Sequence, residues 1–187
     1  PFSALAFRFF FVAIGFLIFS LYTKKSILIN QRNLIESILS GVLFHGLYLG
    51  GVFYSISIGM PTGIAALIVT LQPVLTNILS GPILKEEVTL KQWIGVLLGF
   101  MGAGLVLGIE VGSEIPLLGL IATVIALISI TASTIWQKKL SNNLPLSVSN
   151  FYQAVGGCMF HIFVITLFVK PYINFTGTFL IAMGHQI

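Results

Sequence analysis

In the stretch "GPILKEEVTLKQ", residues 81 to 92, two adjacent glutamates, Glu86 and Glu87, stand between Lys85 and Lys91. A pair of carboxylates beside two ammonium groups has the residue types for proton transfer or for a switchable ion pair. The three histidines, His45, His161 and His185, are the other groups able to carry protons near neutral pH. They lie in different apolar runs with no acidic residue close in sequence, so neither H-E-x-x-H nor a serine with an adjacent base can be assembled locally. No G-x-x-x-x-G-K-[ST] loop is present to bind a nucleotide phosphate, and no metal or cofactor set is implied. Cys158 is the single cysteine and sits inside an apolar run, where it reads as a small packing group.

The elements that would position these groups are set by composition. Of 187 residues 57% are hydrophobic and 7% charged, and the mean hydropathy is +1.06. A soluble domain is about 25% charged. This composition is that of an integral membrane protein, with the lipid bilayer as its first partner, and it removes nucleic acid as a reading of the +4 formal charge. Uncharged runs place spans at Phe2 to Tyr22, Glu36 to Gly59, Thr62 to Leu84, Gln92 to Glu110, Pro116 to Gln137 and Ser147 to Val169, with a seventh starting near Thr176. The chain opens on "PFSALAFRFF" without an initiator Met and closes on "TFLIAMGHQI" as another run begins, so it reads as an internal piece of a longer protein.

Lys24, Lys25 and Arg32 follow the first span, Lys85 and Lys91 the third, Lys138 and Lys139 the fifth. All seven fall on one face of the membrane, and the positive-inside rule makes that face cytoplasmic. The other face has Lys170 and the acidic "EVGSE" loop with Glu110 and Glu114. Pro1, Ser3 and Phe7 recur as Pro145, Ser147 and Phe151 across five spans. An odd number of spans inverts the second copy, as in transporters built from inverted repeats.

Helix faces supply the candidate pathway. In the second span Gly41, His45, Tyr48, Val52, Ser55 and Gly59 share a narrow arc. So do Thr62, Ala66, Pro73, Thr76, Asn77 and Ser80 in the third, Thr123, Ala126, Ser133 and Gln137 in the fifth, and Ser149, Tyr152, Gln153 and Gly156 in the sixth. Small and hydroxylated residues on such faces also serve plain helix packing. Arg8 is the one formal charge well inside a span; it either snorkels outward or faces the bundle. His161 lies far round the sixth helix from Tyr152. The fourth span, with Gly95, Gly99, Gly102, Gly104 and Gly108, reads as a packing helix with small-xxx-small spacing.

"TGIAALIVTLQPVLTNILSGPILKEEVTLKQWIGVLLGFMGAGLVLG" resembles the EamA-type repeat of the drug/metabolite transporter superfamily at Ala65, Ala66, Pro73, Glu86, Thr89, Gln92, Gly95 and Gly102. Arg8 is similar to the Arg of the second helix in the first repeat of that family. The resemblance covers nearly the whole chain. It implies an all-α polytopic bundle of five plus five helices in inverted repeat, with residues 1–110 in the first repeat, its first helix missing, and 116–187 in a truncated second. It also implies alternating-access transport of small metabolites or amphipathic compounds, an exporter being one direction, without enzymatic activity.

The expected substrate pathway is His45, Tyr48, Ser55, Thr76, Asn77, Ser133, Gln137, Tyr152, Gln153 and Arg8, and His45 is the group that could couple transport to a proton gradient. The competing reading is a non-transporting membrane scaffold. Substrate, direction, coupling ion and oligomeric state are not set by the sequence. Thr89 to Gln92 reads as a capping box, with Val88 and Trp93 spaced for a hydrophobic staple. Glu86, Thr89 and Gln92 are then either part of an inner gate or the structural turn between two membrane helices.

Overall fold

The computed structural model describes residues 2–85, 88–107, 114–141 and 143–168. Among them every regular element is a helix, joined by short turns and loops, and there is no strand. Five helical stretches are long and apolar enough to cross a membrane: Phe2–Tyr22, Gln31–Ser57, Thr62–Leu84, Leu117–Ser141 and Leu146–Phe168. A further apolar helix, Leu90–Leu107, lies between the third and fourth of these. Hydrocarbon offers backbone amides and carbonyls no water, so helices, which satisfy them within one segment, are the form these runs must take. The protein is an all-α polytopic membrane bundle. The six helical stretches are called the first to sixth spans below.

Their limits differ from the apolar runs where local chemistry intervenes. The second span starts five residues before Glu36, because Asn30 caps it with its side-chain oxygen accepting from the Asn33 amide at 2.8 Å. Arg32 therefore sits in the first helical turn, paired with Glu36 one turn later at 2.8 Å. The fifth span runs through Lys138 and Lys139 to Ser141, where cationic side chains suit the negative end of the helix. The second span ends in a Schellman turn: the Met60 amide donates to Ser55 O and the Gly59 amide to Ile56 O. Gly59 takes the left-handed conformation, φ 97°, that this turn demands. Gly108 and Glu110 of the expected fourth span, the seventh run from Thr176, Lys170, His185 and Pro1 of the repeat lie outside the described residues.

The chain forms two compact units. Residues 1–46 and 140–187 make one, so its described part holds the first span, the start of the second and the sixth. Phe2 lies beside His161, the Cys158 thiol faces Ala6 O, and Phe10 to Leu17 share a groove with Phe151 to Met159. The first and sixth spans are thus antiparallel. The second span runs the same way as the sixth and meets it backbone to backbone. A Cβ on Gly41 would strike the Gln153 carbonyl, and one on Gly156 the Ile38 carbonyl. A Cβ on Gly157 would meet the His45 side chain and one on Gly46 the Phe160 ring. The small residues in this pair of helices are a steric requirement, as in close membrane-helix crossings generally.

The second unit, residues 47–139, holds the end of the second span, the third, the fourth and most of the fifth. Gly51 faces Ala122 and Ala126 of the fifth span, and Gly119 faces Met60. Thr123, Thr131 and Thr134 on the fifth span each return their hydroxyl to the carbonyl four residues back, at 2.8 Å. That bond lets a hydroxylated helix side be buried without a partner helix supplying an acceptor.

The fourth span departs from its expected packing role. A Cβ placed on Gly95, Gly99 or Gly102 meets nothing within 4 Å, and one on Gly104 only touches Leu67 at 3.9 Å. Spacing alone does not distinguish a glycine crowded by a neighbour from one beside open space. The two classes should separate experimentally in the full-length protein. Gly156→Ala is expected to lower unfolding stability by about 1–3 kcal/mol through overpacking. Gly99→Ala should leave it unchanged or raise it by up to about 1 kcal/mol, since alanine lowers the helix's entropic cost. Thermal unfolding in detergent reads both.

Candidate functional site

The third span is not one continuous helix. It consists of Thr62–Val69 and Gln72–Leu84, with Thr70 and Leu71 between them. The cause is local. Pro73 stands in the first turn of the second piece and has no amide hydrogen to return to the Val69 carbonyl. Thr70 closes the first piece, its amide donating to Ala66 O at 2.9 Å and its hydroxyl to Leu67 O at 2.7 Å. The break falls near the middle of the span.

Beside this break the second unit has a cavity of about 660 Å³. Val69, Thr70, Gln72, Pro73 and Asn77 line it from the third span, and Tyr48 from the second. The fourth span contributes Gln92, Gly95, Val96, Gly99 and Phe100, and the fifth contributes Ile130. Gly95 and Gly99 of the open glycine face are therefore part of the cavity wall. Gln72 reaches across to the fifth span, its Nε2 donating to Thr134 Oγ1 at 3.1 Å, while Thr134 donates onward to Ile130 O. The amide is thereby held in one orientation. Asn77 Nδ2 and the neighbouring Thr76 Oγ1 are buried without a hydrogen-bond partner. An unpaired donor in a cavity wall is costly unless water or a bound molecule supplies an acceptor.

Of the residues expected on the pathway, the structure brings Tyr48 and Asn77 to this cavity, and Gln92, expected at the gate or structural turn, joins them. Ser55 is in the same unit but fully buried, with its hydroxyl returned to Val52 O at 2.8 Å. Ser133 is also fully buried, and Gln137 half-buried, on the fifth span. Thr70, Gln72 and Phe100 are lining residues that face periodicity had not selected. The signal for Gln72 is a large amide directly before a mid-span proline, one helical turn before Thr76 and just beyond the edge of the polar arc.

The remaining candidates belong to the first unit. His161 is fully buried and its Nε2 donates to the His45 carbonyl at 2.9 Å, which fixes the proton on that nitrogen. Phe9 lies 4.4 Å from the His45 ring, centroid to centroid, and stacks with His161 at 5.8 Å. The two imidazoles thus share an aromatic cluster, although 116 residues separate them. Arg8 is half-buried with its guanidinium 5.8 Å from the Phe9 centroid and its Nε unpartnered. It forms no ion pair among the described residues. Tyr152 donates its hydroxyl to Ile27 O at 3.0 Å, tying the loop before the second span to the sixth. Gln153, 1% exposed, donates to Ser149 Oγ at 2.9 Å.

The turn before the fourth span carries its capping box. The Thr89 amide donates to Gln92 Oε1 at 2.8 Å, and the Gln92 amide to Thr89 Oγ1 at 3.4 Å. Lys85 closes the preceding helix in the left-handed conformation, φ 57°. Glu86 and Glu87 lie outside the described residues. No group of three or more His, Cys, Asp or Glu able to hold a metal occurs among those described.

A model of the EamA-like transporter family matches residues 1–108 of the 187. The chain belongs to the EamA-like transporter family. Two curated relatives, both from Bacillus subtilis (strain 168), carry transporter names. The uncharacterized transporter YyaM is 31% identical over 186 residues, covering 91% of this chain and 57% of its own. The uncharacterized transporter YvbV is 26% identical over 162 residues, covering 81% of this chain and 52% of its own. This EamA-like chain thus spans about half the length of the curated relatives it matches. No solved structure matches it.

The bond between Gln72 and Thr134 is the cavity's measurable support. In a double-mutant cycle of Gln72→Leu and Thr134→Val, unfolding of the full-length protein should show a coupling of about 0.6 kcal/mol, typical of hydrogen bonds between membrane helices. Strict additivity would show that the side chains do not interact.

Proposed function

We propose that the full-length protein is a secondary transporter moving small metabolites or amphipathic compounds by alternating access, with the cavity at the broken third span as part of its substrate path. The observation that carries this reading is the coincidence of three features in one place. A membrane span is interrupted at a proline, a cavity of about 660 Å³ opens beside it, and a buried amide donor there lacks a partner. Interrupted helices next to a polar cavity are how transporters expose hydrogen-bonding groups at membrane depth. The volume lies within the roughly 300–1,000 Å³ of small-molecule sites. Membership in a transporter family supports the same reading.

In this reading residues 1–110 and 116–187 belong to two inverted repeats of a five-plus-five fold, and the antiparallel packing of the first and sixth spans supports it. The seven exposed cations Lys24, Lys25, Arg32, Lys85, Lys91, Lys138 and Lys139 then face the cytoplasm, with the protein in the cell membrane. Arg8, His45 and His161 form a second polar cluster whose function is coupling, His45 being the group that could exchange a proton with a driving gradient. Glu86, Thr89 and Gln92 serve either an inner gate or the structural turn between the third and fourth spans, and the capping box at Thr89 and Gln92 supports the turn.

Flux of a metabolite panel through the full-length protein in sealed vesicles tests the proposal. Asn77→Leu should reduce flux about tenfold at unchanged abundance, the worth of one well-placed hydrogen bond. Arg8→Ala should also lose flux with normal membrane abundance; unchanged flux would remove Arg8 from the path. A full-length protein that moves no member of a broad panel would favour the scaffold reading.

A further inference from the structure

We propose that the cavity of the second unit takes a molecule with no net charge, bearing hydrogen-bonding groups on one side and an apolar face on the other, and that Gly95 and Gly99 keep the room for that face. The inference rests on the reading of this cavity as substrate path. Its polar groups are all neutral: no charged side chain lines it among the described residues. The amide of Gln72 is already oriented by Thr134, and the Asn77 amide holds a buried donor without a partner. These groups can replace the water around a ligand's carbonyls, hydroxyls or amides. They cannot replace a counter-ion, so a molecule of net charge would give up its hydration without compensation.

The other side is apolar beyond Gln92, whose side-chain oxygen is taken up by Thr89 in the turn. Gly95 and Gly99 lie one turn apart on the same side of the fourth span, with Phe100 and Val96 beside them. Open space stands where their side chains would be. Side chains at these two positions would occupy the cavity without striking protein, so the glycines set its width and not the helix packing. The same openness makes them suitable for substituted-cysteine probes.

The experiment uses the full-length protein in sealed vesicles with Cys158→Ala and any cysteine outside these 187 residues also replaced by alanine, carrying Gly95→Cys or Gly99→Cys. Leu97→Cys, on the opposite side of the same helix, is the control. Three methanethiosulfonates of similar size are compared: the neutral 2-hydroxyethyl, the anionic 2-sulfonatoethyl and the cationic 2-trimethylammonioethyl reagents. In each the cysteine thiolate attacks the reagent sulfur, a disulfide forms and methanesulfinate leaves. Rates are taken relative to a free thiol in solution.

The neutral reagent should modify both cavity positions readily, with each charged reagent more than about tenfold slower. A charged reagent reacting as fast as the neutral one overturns the substrate class while leaving the pathway reading intact. All three reacting as slowly as at Leu97→Cys means that water does not reach the cavity, which overturns both. Adding Gly99→Leu to Gly95→Cys should slow the neutral reagent about tenfold by filling the space; an unchanged rate removes the role of the glycines.

Discussion

In hydrocarbon no backbone amide or carbonyl can be left to solvent, and that constraint organises every described part of this chain. It makes the apolar runs helical and sends threonine hydroxyls of the fifth span back to their own helix. It also gives significance to a place near mid-span, among the described residues, where a long span departs from continuous α-helical hydrogen bonding. At Pro73 the Val69 carbonyl loses its helical donor, and this occurs beside a cavity with amide and hydroxyl groups in its wall. The irregular backbone and the polar space belong to the same physical feature.

Two kinds of glycine then serve opposite ends. Gly41, Gly46, Gly156 and Gly157 let the second and sixth spans touch, and a methyl group at any of them would collide with backbone or a large side chain. Association of helices in a membrane lacks the hydrophobic drive that works in water, so such close approach is a principal source of cohesion. Gly95 and Gly99 do the reverse, since nothing fills the space in front of them. Rigidity in one unit and volume in the other come from the same residue type.

The paired histidines show how far tertiary structure can change the meaning of a side chain. His161 looked isolated on its helix, half a turn away from the face that carries Tyr152. In the fold that orientation directs it at the second span, where it meets the carbonyl of His45 and the ring of Phe9. Tyr152 and Gln153, which share a polar face, are used for tying a loop and for bonding to Ser149. Polar periodicity identifies a face turned away from lipid but does not say whether another helix or a cavity lies opposite.

The sequence by itself determined the class of protein, because a chain that is 57% hydrophobic and 7% charged, with its apolar residues in uncharged runs of about 20, is suited to crossing a membrane as helices. It determined most span limits and the capping box at Thr89 and Gln92, since these depend on residues three or four apart. The motif around Pro73 was enough to point to the EamA-like family. Tertiary structure decided what local spacing cannot encode: that Thr70 and Gln72 join Tyr48 and Asn77 at one cavity, that Thr134 orients Gln72, and that His45 meets His161. It also decided which glycines are crowded and which are open. Small-xxx-small spacing describes the surface of one helix; whether that surface is filled depends on what another helix places against it.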